Sequence, residues 1–104
     1  MLDTSRGCPA AGVPVVLERA VGSGWHAIGR GTTDADGRAG DLLASAPGAG
    51  RYRLIFDTDA YFDAIGETGF YPEVSVAFAV STGEEHYHVP LLLSRFGYST
   101  YRGS

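Results

Sequence analysis

Acid–base and hydroxyl side chains crowd the carboxyl end of this 104-residue chain. The run His86-Tyr-His-Val-Pro-Leu-Leu-Leu-Ser-Arg-Phe-Gly-Tyr-Ser-Thr-Tyr-Arg-Gly-Ser104 holds two of the three histidines and three of the six tyrosines. Chain ends are usually frayed and tolerant of change, so an end this rich in reactive groups reads as ordered and used. Histidine as a residue type titrates near neutrality and can both take up and return a proton. A second chemical group sits earlier, in Thr33-Asp-Ala-Asp-Gly-Arg38. Asp36-Gly37 is a strong turn dipeptide because glycine accepts positive φ without a Cβ clash, so Arg38 is held just after a fixed turn. No Ser-His-Asp arrangement can be read, and Cys8 lies in a Gly-Cys-Pro loop with no histidine near it in sequence, so covalent catalysis is disfavoured.

These groups need a frame, and the chain supplies it as short alternating runs. Residues Leu2 to Gly12 are turn-rich. Val13, Val15 and Leu17 then share one face, with Pro14, Val16 and Glu18 on the other. Pro14 cannot donate to a ladder, which predicts an edge strand or an unpaired start. Gly22-Ser-Gly24 predicts a hairpin onto Trp25 to Thr32, where Trp25, Ala27 and Gly29 alternate and His26 faces solvent. A short strand is expected around Asp41 to Leu43, and a further one from Arg51 to Asp57 with Tyr52, Leu54 and Phe56 inward. Asp57 or Thr58 then caps the one helix that the pattern supports, with Tyr61, Phe62 and Ile65 on a stripe and Gly66 as its stop.

Val74, Val76, Phe78 and Val80 form the next apolar face, and Ser81 to Glu85 turns the chain. The following strand puts Tyr87, Val89, Leu91 and Leu93 on the core side, with His86, His88, Pro90 and Leu92 facing away. Pro90 and Leu92 on an outer face would need some cover. Gly97 breaks the run, and Tyr98 to Ser104 is a last short strand. About seven strands at short spacing with one helix indicate an all-β sandwich.

Composition narrows the class further. The length is that of a single domain, and 44% hydrophobic with 19% charged residues is ordinary for a globular chain. A net charge of -4 gives no support to a nucleic-acid partner, which would show as a basic patch. One cysteine makes no intrachain disulfide, so the fold needs no oxidising compartment. No apolar run approaches membrane-spanning length and no secretory segment is legible, so a cytoplasmic protein without a membrane partner is expected.

Two long motifs point to a family. Leu2-Asp-Thr-Ser-Arg-Gly-Cys-Pro-Ala-Ala-Gly-Val-Pro-Val15 resembles the amino-terminal signature of the transthyretin-like (prealbumin-like) proteins, and His86-Tyr-His-Val-Pro-Leu-Leu-Leu-Ser94 resembles their carboxyl-terminal one. The ending Tyr101-Arg-Gly-Ser104 is similar to that of the enzyme branch, the 5-hydroxyisourate hydrolases of urate degradation, as distinct from the hormone carriers. The resemblance covers residues 1–104 as one domain. It implies a sandwich of seven to eight strands and a homotetramer with active sites in the channel between dimers. It further implies 5-hydroxyisourate as the substrate, opened by water, with no cofactor and no metal.

By motif position the resemblance assigns His88, Arg38 and Ser104 to catalysis, and Arg38 and Tyr101 to substrate binding. The chemistry agrees. His88 would serve as base and then acid, Arg38 offers a planar fork for carbonyl oxygens and a developing oxyanion, and Tyr101 and Ser104 supply hydroxyls to substrate or water. The plainer alternatives are a surface histidine hydrogen-bonded across the sheet, and an ion pair of Arg38 with Asp34 or Asp36. Strict alternation puts Tyr101 and Ser104 on opposite faces, with Gly103 as the place for a break. His86 reads as structural.

Two departures matter. The family signature carries a further histidine two residues before the Leu of Leu-Asp, a position that falls ahead of Met1. A chain without that histidine is expected to bind substrate analogues and turn over poorly, since losing one acid–base partner costs on the order of 10²–10⁴ in rate. This leaves an alternative, a catalytically weakened transthyretin-like tetramer that binds a small ligand; the intact Arg38, His88 and Tyr-Arg-Gly-Ser favour the hydrolase. Arg95 stands where the family more often has Pro or Gln, and it is expected to alter a turn near the channel.

Overall fold

Alternating apolar side chains build the longer-stranded of two sheets. The computed structural model describes residues 1–40, 42, 48–81 and 88–103, and within these the chain runs β1 (Leu2–Asp3), β2 (Cys8–Pro9), β3 (Pro14–Val21), β4 (Gly24–Thr32), β5 (Gly50–Phe56), α1 (Thr58–Ala64), β6 (Val74–Val80), β7 (Leu91–Leu93) and β8 (Tyr98–Thr100). One sheet has the order β4-β3-β5-β6 and the other β2-β1-β7-β8. Leu17 pairs with Leu54 and Val15 with Phe56, which puts the inward faces of β3 and β5 in register. Their buried side chains meet Leu91 and Leu93 of the opposite sheet in one core, the sandwich expected from the periodicity.

The helix starts where the sequence places it. Asp57 caps it by accepting from the Ala60 amide at 3.0 Å, and Tyr61 and Phe62 turn into the core. Gly66 follows at φ 74, the left-handed conformation that ends the turn.

Several expectations are corrected. β3 is a central strand rather than an edge, and Pro14 is tolerated because it is the first residue of the strand. A bulge between Leu17 and Glu18 breaks the alternation of β4. Gly29 lies opposite inward Leu17, whereas Ala27 and Trp25 lie opposite Glu18 and Ala20 on the outer face. The turn-rich start contains a small antiparallel pair, with Leu2 opposite Pro9 and Asp3 opposite Cys8. The strand through the histidines is regular only over Leu91–Leu93, so alternation does not extend back to Pro90, which is buried instead of outward. The expected strand around Asp41 to Leu43 and the turn after Ser81 fall largely outside the described residues.

The short-stranded sheet is tied together by polar groups. Its β1 runs parallel to β7, with Leu2 opposite Leu92 and Asp3 opposite Leu93. Thr4 donates to the Leu93 carbonyl at 3.1 Å, and Thr100 to that of Pro90 at 2.6 Å. Arg95, in the β7–β8 turn, donates through Nε to the Thr68 carbonyl at 2.8 Å and lies over the Phe96 ring. It therefore anchors that turn to the segment after the helix.

Candidate active site

Arg38 is placed by a turn closed from both sides. The Asp34 amide donates to the Arg38 carbonyl at 2.8 Å, and the Asp34 carboxylate accepts the Arg38 amide at 3.1 Å and the Asp36 amide at 2.9 Å. The Arg38 amide, against a smaller opposing burial effect, holds the Asp34 carboxyl below its ordinary value. Gly37 takes φ 75 at the centre of this turn, and its α-carbon lies against the main chain of Met1, leaving no space for a side chain. The Met1 carbonyl in turn accepts from the Ala10 amide at 3.1 Å, so the Arg38 turn is docked on the start of β1. The Arg38 side chain is exposed, and no ion pair joins it to Asp34 or Asp36; among the described residues the one ion pair is Arg53 with Glu18. The charge of Arg38 is a lesser influence in the same direction on the Asp34 carboxyl.

His88 is exposed just ahead of β7 and faces the terminal segment. It pairs with Gly103 in an isolated antiparallel bridge, the Gly103 amide donating to the His88 carbonyl at 2.7 Å. Among the described residues, no side-chain hydrogen bond ties the His88 imidazole across the sheet, and the ring lies against Gly103. Tyr101 is 57% exposed, and with Val76, Phe78, Val89, Thr100 and Arg102 it lines a groove of about 220 Å³ between β6 and the terminal segment. The lining is mostly apolar, as small-ligand grooves are, and neither His88 nor Arg38 is part of it.

The structure thus joins His88 and Tyr101 through one strand pair. It attaches Arg38 to the same sheet through β1, which lies beside β7. No hydrogen bond or ion pair links Arg38 to His88. Ser104 and His86 lie outside the described residues, and His26 is exposed on β4 as expected. Cys8 is a half-buried free thiol on β2.

Sequence reasoning missed a buried polar pair behind the site. Asp3 is fully buried, and its carboxylate accepts from the Tyr61 hydroxyl at 2.6 Å and from the amides of Ser5 and Arg6 at 3.0 and 3.1 Å. Arg6 reaches the same hydroxyl at 3.4 Å. The turn-rich composition of Leu2 to Gly12 is the one local signal for the bonds that Asp3 makes to Ser5 and Arg6. Nothing local signals a partner on the helix.

Comparison with known proteins agrees with this frame. A profile of the HIUase/Transthyretin family matches residues 1–103. The chain is 51% identical over 107 residues to a 5-hydroxyisourate hydrolase of Salmonella typhimurium, covering all of this chain and 77% of that protein. It is 44% identical over 119 residues to a uric acid degradation bifunctional protein of Arabidopsis thaliana, covering all of this chain and 36% of that longer protein. Among solved structures, transthyretin from Sparus aurata superposes with a TM-score of 0.90 at 36% identity, over 98% of this chain and 90% of that one. The 5-hydroxyisourate hydrolase of Klebsiella pneumoniae gives 0.84 at 37% identity, over 99% and 87%.

Proposed function

The chain belongs to the HIUase/transthyretin family, and from that premise we propose that it is a 5-hydroxyisourate hydrolase of urate degradation. What supports this choice within the family is the pair of an exposed imidazole at His88, just ahead of β7, and an exposed guanidinium at Arg38, on the turn that docks at the start of β1. A pure carrier of a small aromatic ligand has no use for that pair. The non-catalytic alternative is accordingly not favoured.

In this reading His88 takes a proton from water as the water oxygen bonds to the ring carbonyl carbon. Arg38 stabilises the negative charge that develops on the carbonyl oxygen. The carbon–nitrogen bond then breaks, and the imidazolium returns its proton to the leaving nitrogen, giving 2-oxo-4-hydroxy-4-carboxy-5-ureidoimidazoline. Tyr101 binds the substrate from the groove wall, and Ser104 completes the terminal part of the site. The scheme balances with water as the sole co-reactant.

The reading includes a homotetramer. β6 and β8 are the outer strands of their sheets, and both border the groove. Edges of this kind, with Tyr98 and Tyr101 exposed, suit pairing with a second copy. It also includes a cytoplasmic location, in keeping with the free Cys8 thiol. Among the described residues, no helix is long and apolar enough to cross a membrane.

The test is decay of freshly generated 5-hydroxyisourate, followed beside Arg38→Ala. Acceleration by the unsubstituted chain and a loss of about 10²–10³ in the variant are expected. A decay no faster than the spontaneous one would sink the reading. The same assay on a chain carrying His-Val in place of Met1 measures what the family's amino-terminal histidine adds.

A further inference from the structure

Gly103 stands apart from the glycines that serve the backbone. Gly7, Gly12, Gly22, Gly40, Gly48 and Gly66 adopt positive φ and have open space where a β-carbon would be. Gly103 has the reverse pattern. Its φ is not positive, so its backbone demands no glycine, yet the space a β-carbon would take is occupied. The occupant is His88. A β-carbon there would fall 2.8 Å from Cγ and 3.0 Å from Cβ of the imidazole side chain, and closest of all to Nδ1. Carbons and nitrogens do not approach so closely without displacement. The bridge hydrogen bond between the two residues prevents the strands from sliding apart to relieve it.

We propose that Gly103 is a positioning residue for catalysis: its bare α-carbon is the seat on which the His88 imidazole lies, Nδ1 edge down, leaving Nε2 as the nitrogen turned toward substrate. This rests on the reading of His88 as the acid–base group. Among the described residues no side chain hydrogen-bonds the ring, and the contact with Gly103 does the work that a carboxylate partner does for many catalytic histidines. Misplacement of a reacting group by about 1 Å can cost 10²-fold in rate, so a β-carbon at this point would act on chemistry before it acted on stability.

The experiment uses Gly103→Ala in the full chain, with Gly97→Ala as control. A β-carbon at Gly97 meets only the Ser94 hydroxyl oxygen, at 3.8 Å. Three readouts are taken: kcat and KM on 5-hydroxyisourate, thermal midpoint, and the ring ¹⁵N and ¹³C resonances of His88, assigned by their disappearance in His88→Asn. For Gly103→Ala we expect a fall in kcat of about tenfold to 10²-fold with KM changed far less, a displaced set of His88 ring resonances and an unchanged thermal midpoint. Gly97→Ala should match the unsubstituted chain throughout. Unchanged ring resonances, or displaced resonances with an unchanged kcat, would overturn the proposal. If His88→Asn keeps full activity, the acid–base reading of His88 falls instead, and the ring resonances of Gly103→Ala still decide whether Gly103 seats the ring.

Discussion

The two sheets of the sandwich solve different problems with different materials. The β4-β3-β5-β6 sheet has strands of seven to nine residues, and alternating valine, leucine and aromatic side chains bury one of its faces. The β2-β1-β7-β8 sheet has strands of two or three residues, too few to hold by pairing alone. It is secured by side chain-to-backbone bonds from Thr4 and Thr100, by buried Asp3, and by glycines that let main chain and ring approach closely. A sheet closed by cooperative burial tolerates little change. The second sheet contributes Leu91 and Leu93 to the core, and its exposed ends, held by separate polar ties, can carry polar groups such as His88 without endangering that core.

Substitutions in the two regions should therefore separate rate from stability. The largest effect belongs to His88→Asn, expected to lower kcat by about 10²–10⁴ with the thermal midpoint nearly unmoved. A large stability loss there would erase the division between the sheets. Next comes Leu17→Ala, at a fully buried position of β3, which should cost about 2–5 kcal/mol in denaturant titration while the folded fraction keeps its kcat.

Tyr61→Phe probes the seam between the two regions, because the helix side chain secures β1 through Asp3. Removing the donor leaves a buried carboxylate one bond short, a loss of about 1–3 kcal/mol. The pH dependence carries its own signature. Burial first, and the Asp3 carboxylate next, push the Tyr61 hydroxyl from 10.0 up to about 12. A raised value in the fold means the protonated form stabilises it: the contribution is complete below pH 10.0 and is lost as pH rises toward about 12. The variant should lack that alkaline decline in urea midpoints. The smallest effect is Asp57→Ala at the helix cap, about 1 kcal/mol by the same titration, with no change in kinetics.

Legibility in the sequence follows the same divide. β3, β5, β6 and the capped helix could be read because burial of one face writes a period into the chain, as at Tyr52, Leu54 and Phe56. The bulge at Leu17/Glu18 could not, since one extra residue in a pair is a property of two strands together. In the short-stranded sheet periodicity has almost nothing to act on, so alternation carried back from Leu91–Leu93 misplaces Pro90, which is buried. Arg38 and His88 were visible as chemistry through motif resemblance. The Asp3–Tyr61 bond and the seat at Gly103 join residues whose separation in sequence leaves no local trace.

The parallel pairing of β1 with β7 has a consequence for how the molecule comes into being. Thr4 and Leu93, joined by a hydrogen bond at its edge, are 89 positions apart. Closing so long a loop must wait until much of the chain is fixed, whereas the β3–β4 hairpin can form from neighbours. The β1–β7 pair is therefore expected to close after the local β3–β4 hairpin has formed.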